Sequence, residues 1–283
     1  PSTRRVGVSQ TKAMINLATV ENPTQEKAAG ATLTPQDVRG KLVEFAWFMK
    51  KEGYASTTLK CRLEILENMA NHGMGPHLLN PDAIKGFIAK QATWEDGFKR
   101  NAVYAYTTFL AMHGLKWNPP HYKRPEKLPF IPLESELNEL ITTTGKRMSI
   151  FLQGLKETGA DPGELFALEW IDINPQTRTL TINHPVKGHN ARIIKVSRDL
   201  IDRLGTLPKK NAKVFQGIIE SIRRNYIDQR KTAARKFNNP RLLQIKFITF
   251  RHWKGTWEYH KTKDVYHVKK LLGHKSLRST EIY

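Results

Sequence analysis

The stretch HVKKLLGHKSLRSTEIY, residues 267–283, is the part of the sequence from which the fold is most readily inferred. It places Tyr283 nine residues after His274, which follows two leucines and a glycine. Three further polar motifs precede it. They read TGADPGEL at 158–165, VKG at 186–188 and ITFRHWK at 248–254. The order of these motifs along the chain, more than any one of them, is the strongest signal in the sequence.

The composition points to a polyanionic partner. The formal net charge is +20 over 283 residues, and basic side chains that neutralise phosphates gain affinity by releasing condensed counterions. DNA or RNA is therefore the leading candidate partner. We find no apolar span of membrane length and no signal-peptide pattern, so we expect a cytoplasmic protein, associated with nucleic acid, that makes no use of a membrane.

Cysteine usage narrows the class further. The chain has one cysteine, Cys61, which excludes a disulfide framework and a cysteine-rich metal site. A reducing compartment fits this usage. We expect the thiol of Cys61 to be buried in a helix, because free cysteines usually are.

Helical periodicity and proline-rich breaks divide the chain into four segments. Residues 1–33 are polar and predict a loosely ordered arm, whereas residues 34–117 have the apolar spacing of four amphipathic helices. Residues 118–129 are rich in prolines and basic side chains, which predicts a stiff, positive linker. Residues 130–283 predict a second domain of helices with one β-hairpin around residues 187–190. The expected fold class is mainly α with a small antiparallel β element, an α+β arrangement.

The Leu-Leu-Gly-His pattern with a tyrosine nine residues later resembles the signature of the tyrosine recombinases, the family of phage integrases and Xer recombinases. The run Phe-Arg-His-Trp-Lys at 250–254 is closest to the archaeal integrase branch of that family. The resemblance extends back through the other motifs and covers the whole second domain. It implies a helical core-binding domain at 34–117 and a catalytic domain at 130–283, which together form a C-shaped clamp around DNA.

The same resemblance implies a site-specific recombinase or integrase that works through a 3′-phosphotyrosyl DNA intermediate and needs no metal or other cofactor. A phenol with a pKa of about 10 is a poor nucleophile at neutral pH. It needs a proton acceptor and a phosphate whose developing charge is neutralised. Arginines neutralise phosphates well because their planar fork meets two oxygens at once. The leaving 5′-oxygen needs a proton donor.

The family's roles can be carried over to five residues of this sequence. By the resemblance, Tyr283 is the nucleophile and Arg251 is the second of the family's two phosphate-binding arginines. His274 hydrogen-bonds the phosphate or helps to manage protons, and Lys187 at the hairpin tip is the general acid for the 5′-oxygen. Glu164 supports the site by orienting an arginine or a histidine. The alternative for Glu164 is a carboxylate that the helix dipole favours at a helix N-terminus.

Two positions depart from the family's pattern, and both weaken catalysis. Asp161 stands where the family has its first arginine, and Ile248 stands where it has a histidine or a lysine. Two like charges about 4 Å apart repel by about 4 kcal/mol at an effective dielectric constant of 20, and about 1.4 kcal/mol is a factor of ten in rate. Ile248 neither accepts nor donates a proton. We therefore expect this chain to cleave DNA very slowly or not at all.

Three explanations for these departures are open: natural loss of catalysis, introduced substitutions that block it, and compensation by basic groups elsewhere. The first corresponds to a different class of function, a non-catalytic DNA-binding relative of the recombinases, which the retained catalytic residues oppose. A type IB topoisomerase shares the chemistry, but the short linker and the integrase-like motifs disfavour it.

Basic residues in the first domain and in the linker are the expected DNA contacts. Phosphate contacts position a protein on DNA and base contacts specify the site, and the sequence does not separate the two. We expect double-stranded DNA as the partner, bound by a homotetramer on two sites, with a monomer or a dimer in its absence. The candidate contacts are Lys60, Arg62, Lys99, Arg100, Lys123, Arg124 and Lys127.

Overall fold

Two separate units make up the part of the chain that the structure describes. The structure is a computed structural model, and it describes residues 32–123 and 127–283. The two units divide between Glu126 and Lys127. The predicted arm at 1–33 lies outside the described residues except for its last two positions.

Four α-helices form most of the first unit, and polar caps set where two of them begin. Thr34 accepts a hydrogen bond from the backbone of Asp37, whose side chain accepts one from the backbone of Thr34 in return. Asn80 caps the third helix, and a proline follows each of these two caps. The helices are α1 (Pro35–Lys51), α2 (Ser56–Met69), α3 (Pro81–Lys90) and α4 (Asp96–Met112).

Aromatic side chains fill the core of the first unit. Phe45 of α1 meets Phe109 of α4 edge to face, with ring centroids 5.7 Å apart. Tyr106 is also fully buried, and its hydroxyl donates a hydrogen bond to the carbonyl of Leu78 at 3.0 Å. This bond satisfies the one polar atom that the packing of Tyr106 removes from water.

Cys61 is exposed on α2, so the expectation that it would be buried is wrong. The buried positions of this helix are Ile65, Leu66 and Met69. Cys61 stands five residues before Leu66, and five residues turn an α-helix by about 140° beyond a full turn. The apolar spacing of the helix, and not the residue type, therefore decides which side chains reach the core.

Helices again dominate the second unit. The long helices α6 and α10 pack against each other at its centre, and Phe151 of α6 contacts the rings of Phe215 and Phe247 edge to face. The helices are α5 (Glu134–Thr143), α6 (Lys146–Thr158), α7 (Pro162–Phe166), α8 (Arg198–Gly205), α9 (Ile219–Lys236), α10 (Phe247–Thr262) and α11 (Val265–Leu272).

A small antiparallel sheet lies among these helices, with strand order β1-β2-β3. Its strands are β1 (Ile173–Asn174), β2 (Thr179–Ile182) and β3 (Arg192–Lys195). The predicted hairpin is present, and its two strands pair from Thr179 opposite Lys195 to Ile182 opposite Arg192. The extra strand β1 is two residues long, too short to show the alternation that predicts a strand. The fold class expected from the sequence, mainly α with a small antiparallel β element, is confirmed.

The loop of the hairpin is attached to the end of α11. The backbone N–H of Asn190 donates to the carbonyl of Gly273 at 2.8 Å, and Nε of Arg192 donates to the carbonyl of Leu271 at 2.8 Å. Gly273 has a φ of 75°, and a Cβ there would lie 2.7 Å from Nη1 of Arg192. Only glycine therefore allows the hairpin to approach the helix this closely.

Within residues 32–123 and 127–283, no helix combines the length and the apolar character that crossing a membrane requires.

Candidate active site

Arg251 lies within α10 and is almost completely buried, with 3% of its surface exposed. Its Nη1 donates to the carbonyl of Gly159 at 2.8 Å, and its Nη2 donates to the carbonyl of Leu272 at 2.7 Å. Burial lowers the pKa of Arg251, but a guanidinium stays charged at neutral pH. The two carbonyls fix the plane of the group and leave some of its five N–H donors for another partner.

Gly159 is required where it stands. It has a φ of 61°, the left-handed conformation that closes α6, and a Cβ there would lie 2.8 Å from Cδ2 of Leu272 and 3.0 Å from Cγ of Lys254. A residue with a Cβ would therefore be strained at this position and would displace its neighbours. The carbonyl that holds Arg251 thus depends on a glycine in the TGADPGEL motif.

Glu164 is the centre of a buried ionic network at the start of α7. Its side chain has no exposed surface, and Oε2 accepts from Nη2 of Arg192 at 2.7 Å while Oε1 contacts Nδ1 of His189 at 2.7 Å. Oε2 also accepts from the backbone N–H of Asp161 at 2.9 Å. Burial by itself raises the pKa of Glu164, but the hydrogen bonds from His189 and Arg192 outweigh it and lower the pKa to about 2. The carboxylate is therefore ionised throughout the physiological range.

His189 connects this network to the buried arginine. Its Nε2 lies 3.5 Å from Nη2 of Arg251, while its Nδ1 faces Glu164. The ring also lies 5.7 Å, centroid to centroid, from the ring of His274. Glu164 therefore does not contact Arg251 directly but reaches it through His189.

Asp161 and Lys187 form an ion pair, with Oδ2 and Nζ 2.8 Å apart. Asp161 is also the N-cap of α7, because its Oδ1 accepts from the backbone N–H of Gly163 at 2.9 Å. The carboxylate is nearly buried, whereas the side chain of Lys187 is 70% exposed. Lys187 has a φ of 55° at the hairpin tip, in the left-handed region that non-glycine residues rarely adopt. Asp161, which stands at the position of the family's first arginine, thus binds Lys187, the expected general acid.

Ile248 lines a cavity of about 450 Å³ next to this ion pair. Asp161 and Lys187 form part of its wall, and three basic side chains from α9 and the start of α10 face the same space. They are Arg223, Arg230 and Lys246. These three side chains line the same cavity as Asp161 and Ile248, the two positions that depart from the family's pattern. They are therefore the candidates for basic groups that could compensate for those departures.

His274 follows the glycine that ends α11 and is buried. Its Nδ1 lies 2.8 Å from the hydroxyl of Thr280, which is buried and directly follows a short 3₁₀ turn at Leu277–Ser279. Burial, followed by the positive charge of Arg251, lowers the pKa of His274 to about 4. The imidazole is therefore neutral at pH 7, and only one of its nitrogens carries a proton.

Tyr283 packs into the same cluster. Its ring lies parallel to that of His274, with centroids 6.5 Å apart, and its hydroxyl lies 3.1 Å from Nδ1 of His252. Gly255 makes room for the ring, because a Cβ there would lie 2.9 Å from its Cζ. Burial raises the pKa of Tyr283 to about 12, although the charge of Arg251 opposes the rise.

Six of the seven predicted catalytic residues thus fall into two neighbouring groups, and the seventh, Glu164, reaches Arg251 through His189. Tyr283, Arg251 and His274 lie together, and the ion pair of Asp161 and Lys187 lies with Ile248 at the adjoining cavity. The sequence reasoning missed three participants, which are His189, Arg192 and His252. His252 directly follows Arg251 in the ITFRHWK motif and could have been considered. Nothing in the sequence pairs Arg192 with Glu164, because that contact depends on how the hairpin packs.

The DNA-binding candidates of the first unit differ in how free their charges are. Arg62 donates to the hydroxyl of Thr108 at 2.7 Å and lies over the ring of Tyr54. Lys99 lies over the ring of Tyr122, and Arg100 lies over that of Tyr104. Lys60, Lys123 and Lys127, the last in the second unit, are exposed, and Lys60 forms an exposed ion pair with Glu64 at 3.9 Å. Arg124 lies outside the described residues. In the described part of the chain, no cluster of three or more His, Cys, Asp or Glu side chains could hold a metal ion.

Comparison with known proteins finds a match to one family over the residues that carry the site. The model of the phage integrase family matches residues 133–283. The tyrosine recombinase XerA of Pyrococcus horikoshii is 25% identical over 255 residues, which are 86% of this chain and 87% of that protein. XerA of Pyrococcus furiosus is 26% identical over 255 residues, with 86% and 88% covered.

Solved structures share the fold. In a XerH site-specific recombinase bound to its difH substrate, 15% of aligned residues are identical, and the TM-score is 0.60 over 95% of this chain and 87% of that one. A lambda integrase tetramer bound to a Holliday junction gives a TM-score of 0.63 at 12% identity, over 93% and 81%. Because the family match spans more than half of the 283 residues and includes every motif of the site, the chain belongs to the phage integrase family.

Proposed function

We propose that this protein is a site-specific DNA recombinase or integrase that cuts and reseals DNA through a covalent bond to Tyr283. The observation that carries the proposal is the buried cluster in which the hydroxyl of Tyr283 lies beside His252, with Arg251 and His274 around it. Tyr283 is half-buried, and its pKa, raised to about 12, makes attack on a phosphate depend on a neighbouring group that takes up the phenolic proton. The membership of the chain in the phage integrase family supports the same reading.

The proposed reaction needs no energy source beyond the phosphodiester. Oη of Tyr283 forms a bond to phosphorus while the bond from phosphorus to the 5′-oxygen breaks, which gives a 3′-phosphotyrosyl link and a 5′-hydroxyl. The free N–H groups of Arg251 stabilise the charge that develops on the non-bridging oxygens. A neutral His274 whose Nδ1 accepts from Thr280 carries its proton on Nε2 and can donate it to the same oxygens. Lys187 protonates the leaving 5′-oxygen.

The ion pair between Asp161 and Lys187 is the smaller of two obstacles to this reaction. Lys187 is 70% exposed in its side chain, and exposed ion pairs contribute about 0–1 kcal/mol. Releasing Lys187 therefore slows cleavage by less than about tenfold. A carboxylate about 4 Å from the phosphate costs about 4 kcal/mol at an effective dielectric constant of 20, which is roughly a thousandfold in rate. We propose that cleavage is slow, mainly because of the charge at position 161.

DNA binding is assigned to the exposed basic residues. Lys60, Lys123 and Lys127 are accessible along their side chains, and the net charge of +20 favours a polyanion. Each phosphate that such a residue neutralises adds about 0.9 to the slope of log affinity against log salt. We propose that these three contact the backbone of the duplex. A clamp formed by both units around the duplex remains a proposal.

We also propose that four copies act on two DNA sites. Each chain carries one Tyr283 and cuts one strand, so exchange between two duplexes needs four cuts. The lambda integrase that shares the fold was solved as a tetramer on a Holliday junction. Mass photometry should show a monomer or a dimer without DNA. With excess duplex it should show a complex of four chains on two duplexes. Complexes that stay at one chain per duplex at all concentrations would contradict the assembly.

The function can be tested by covalent trapping. Binding sites are first selected from a randomised duplex library with the Tyr283→Phe variant, then nicked so that cleavage releases a short 5′-hydroxyl oligonucleotide and cannot be reversed. Denaturing gels count the covalent complex. Asp161→Arg combined with Ile248→His should raise its rate of formation about a thousandfold over the parent chain. Asp202→Arg, the same charge change at an exposed position of α8, is the matched control and should leave the rate unchanged at saturating protein.

The second candidate function is a non-catalytic DNA-binding relative. One observation favours it. Lys187, the expected general acid, is paired with Asp161, and the neighbouring Ile248 cannot accept a proton. This second candidate predicts that the selected duplexes bind tightly but that neither the parent nor the double variant forms a covalent complex. That result would overturn the proposed strand transfer.

A further inference from the structure

His252 is the described residue whose side chain contacts the reacting atom of the proposed nucleophile. Its Nδ1 lies 3.1 Å from the hydroxyl of Tyr283, with the two ring planes inclined at 48°. Among the described residues, the hydroxyl of Tyr283 makes no other hydrogen bond to a side chain. His274 lies parallel to the tyrosine ring, and its Nδ1 is already engaged by Thr280. The contact with His252 is thus the direct route for a proton from the phenol.

The position of His252 suits proton transfer. It is the residue after Arg251 on α10, so the helix that holds the phosphate-binding arginine also sets the distance to the tyrosine. The ring is half-buried, and within the described part of the chain its Nε2 has no protein partner. A proton taken up at Nδ1 can therefore be balanced by exchange of the Nε2 proton with water.

We propose that His252 is the proton acceptor for Tyr283 and takes the part that Ile248 cannot. The proposal rests on the proposed function. As Oη of Tyr283 bonds to phosphorus and the 5′-oxygen leaves, the phenolic proton passes to Nδ1 of His252, which becomes an imidazolium. In resealing, the 5′-hydroxyl attacks phosphorus, Oη leaves and the same proton returns to it. No other co-reactant is needed, because the 5′-oxygen exchanges its proton with Lys187.

The electrostatic surroundings keep His252 in the form that can accept a proton. The charged and titratable groups around it are Arg251 on its own helix and Tyr283 on the chain that packs against it, and the ring of His274 lies on that of Tyr283. Burial and then the charge of Arg251 lower the pKa of His252 below its usual 6.5. The ring is therefore neutral at pH 7 in the free protein.

A first test needs no catalysis. Nitrogen-15 NMR of the full chain, with the His252 signals assigned by their loss in His252→Asn, reports which ring nitrogen carries the proton. The proposal expects protonation at Nε2 and a bare Nδ1 that accepts from the tyrosine. In Tyr283→Phe the pKa of His252 should rise by about 0.4 to 1 unit, because a hydrogen bond to the neutral ring is lost. A proton on Nδ1, or a pKa that falls or stays constant, would overturn the proposal. The exposed His260 of the same helix serves as the internal reference.

A second test separates proton transfer from positioning. An amide at position 252 can occupy the place of Nδ1 but cannot take up a proton, so His252→Asn keeps the hydrogen bond and removes the base. Duplexes carrying a 5′-bridging sulfur, whose departure needs no protonation, make the rate independent of Lys187. Single-turnover cleavage by His252→Asn should be about 10² to 10⁴ times slower than by the parent chain. The decline of the rate at acid pH, where a base is protonated, should disappear.

The outcomes distinguish the two proposals. If the parent chain cleaves the sulfur substrate and His252→Asn does so within about threefold with the same acid decline, His252 is not the base and the proposed function stands. If neither the parent chain nor the Asp161→Arg, Ile248→His variant forms a covalent complex, the proposed function fails, and the role of His252 fails with it whatever the NMR result. If Asp161→Arg with Ile248→His cleaves but Asp161→Arg alone does not, the proposed function stands and His252 does not take the role of the base. His260→Asn is the matched control and should cleave as the parent does.

Discussion

Replacing Glu164 by glutamine should destabilise the second unit by about 3 kcal/mol at pH 7, and the effect should vanish in acid. Glu164 has no exposed side-chain surface and binds Arg192 at 2.7 Å. Its pKa is about 2 against an ordinary 4.5, and a difference of about 2.5 units corresponds to about 3.4 kcal/mol. Removing one partner of a buried ion pair costs about 3–5 kcal/mol, a similar amount.

The sign of the pH dependence follows from the lowered pKa. A carboxyl whose pKa is lower in the folded state stabilises the fold above its unfolded pKa. That contribution is lost as the pH falls from about 4.5 toward 2. The parent chain should therefore approach the stability of Glu164→Gln over this interval, while the two differ fully at pH 7.

The assay is urea unfolding of the full chain at several pH values between 7 and 2.5. Hydrogen-exchange labelling of peptides from residues 133–283 keeps the second unit separate from the first. Asp202→Asn, which removes the exposed ion pair with Arg198, is the control and should change the free energy of unfolding by less than about 1 kcal/mol. A difference between Glu164→Gln and the parent that is below about 1 kcal/mol at pH 7, or that is equal at pH 7 and pH 3, would refute the reasoning.

Three further predictions concern other parts of the chain. Gly159→Ala should destabilise the second unit by more than about 1 kcal/mol in urea unfolding, because the residue has a φ of 61° and no room for a Cβ; an unchanged midpoint would contradict this. Tyr106→Phe should cost about 1–3 kcal/mol of the first unit's stability, because the carbonyl of Leu78 loses its buried donor; a neutral substitution would show that water replaces the hydroxyl. The double variant Lys123→Ala and Lys127→Ala should lower the slope of log affinity against log salt by about 2 in fluorescence anisotropy with a selected duplex, and an unchanged slope would remove both residues from the interface.

Much of the fold could be predicted because local signals coincide with the tertiary structure. The caps at Thr34 and Asn80, each followed by proline, mark helix starts that the structure retains. The hairpin follows from the alternation of buried and half-buried residues in β2. The two failures differ in cause. β1 is too short to show a strand pattern, whereas the exposure of Cys61 agrees with the apolar spacing of α2, which outweighs the general tendency of free cysteines to be buried.

The candidate site was only partly accessible from the sequence. Motif order is enough to suggest Tyr283 and Arg251, because their chemistry and spacing are characteristic. It could not reveal that His189 bridges Glu164 and Arg251, since that contact exists only when the hairpin packs against the end of α11. The electrostatic expectation for Asp161 also assumed a free carboxylate, whereas the structure pairs it with a lysine.

The measurement that tests the central claim most directly is the location of the covalent bond to DNA. The Asp161→Arg, Ile248→His variant is trapped on a nicked selected duplex and digested with trypsin and nuclease. Mass spectrometry then identifies the modified peptide. The account predicts a 3′-phosphonucleotide attached to Tyr283, and none in the same variant carrying Tyr283→Phe. Attachment to any other residue, or a covalent complex that survives Tyr283→Phe, would contradict it.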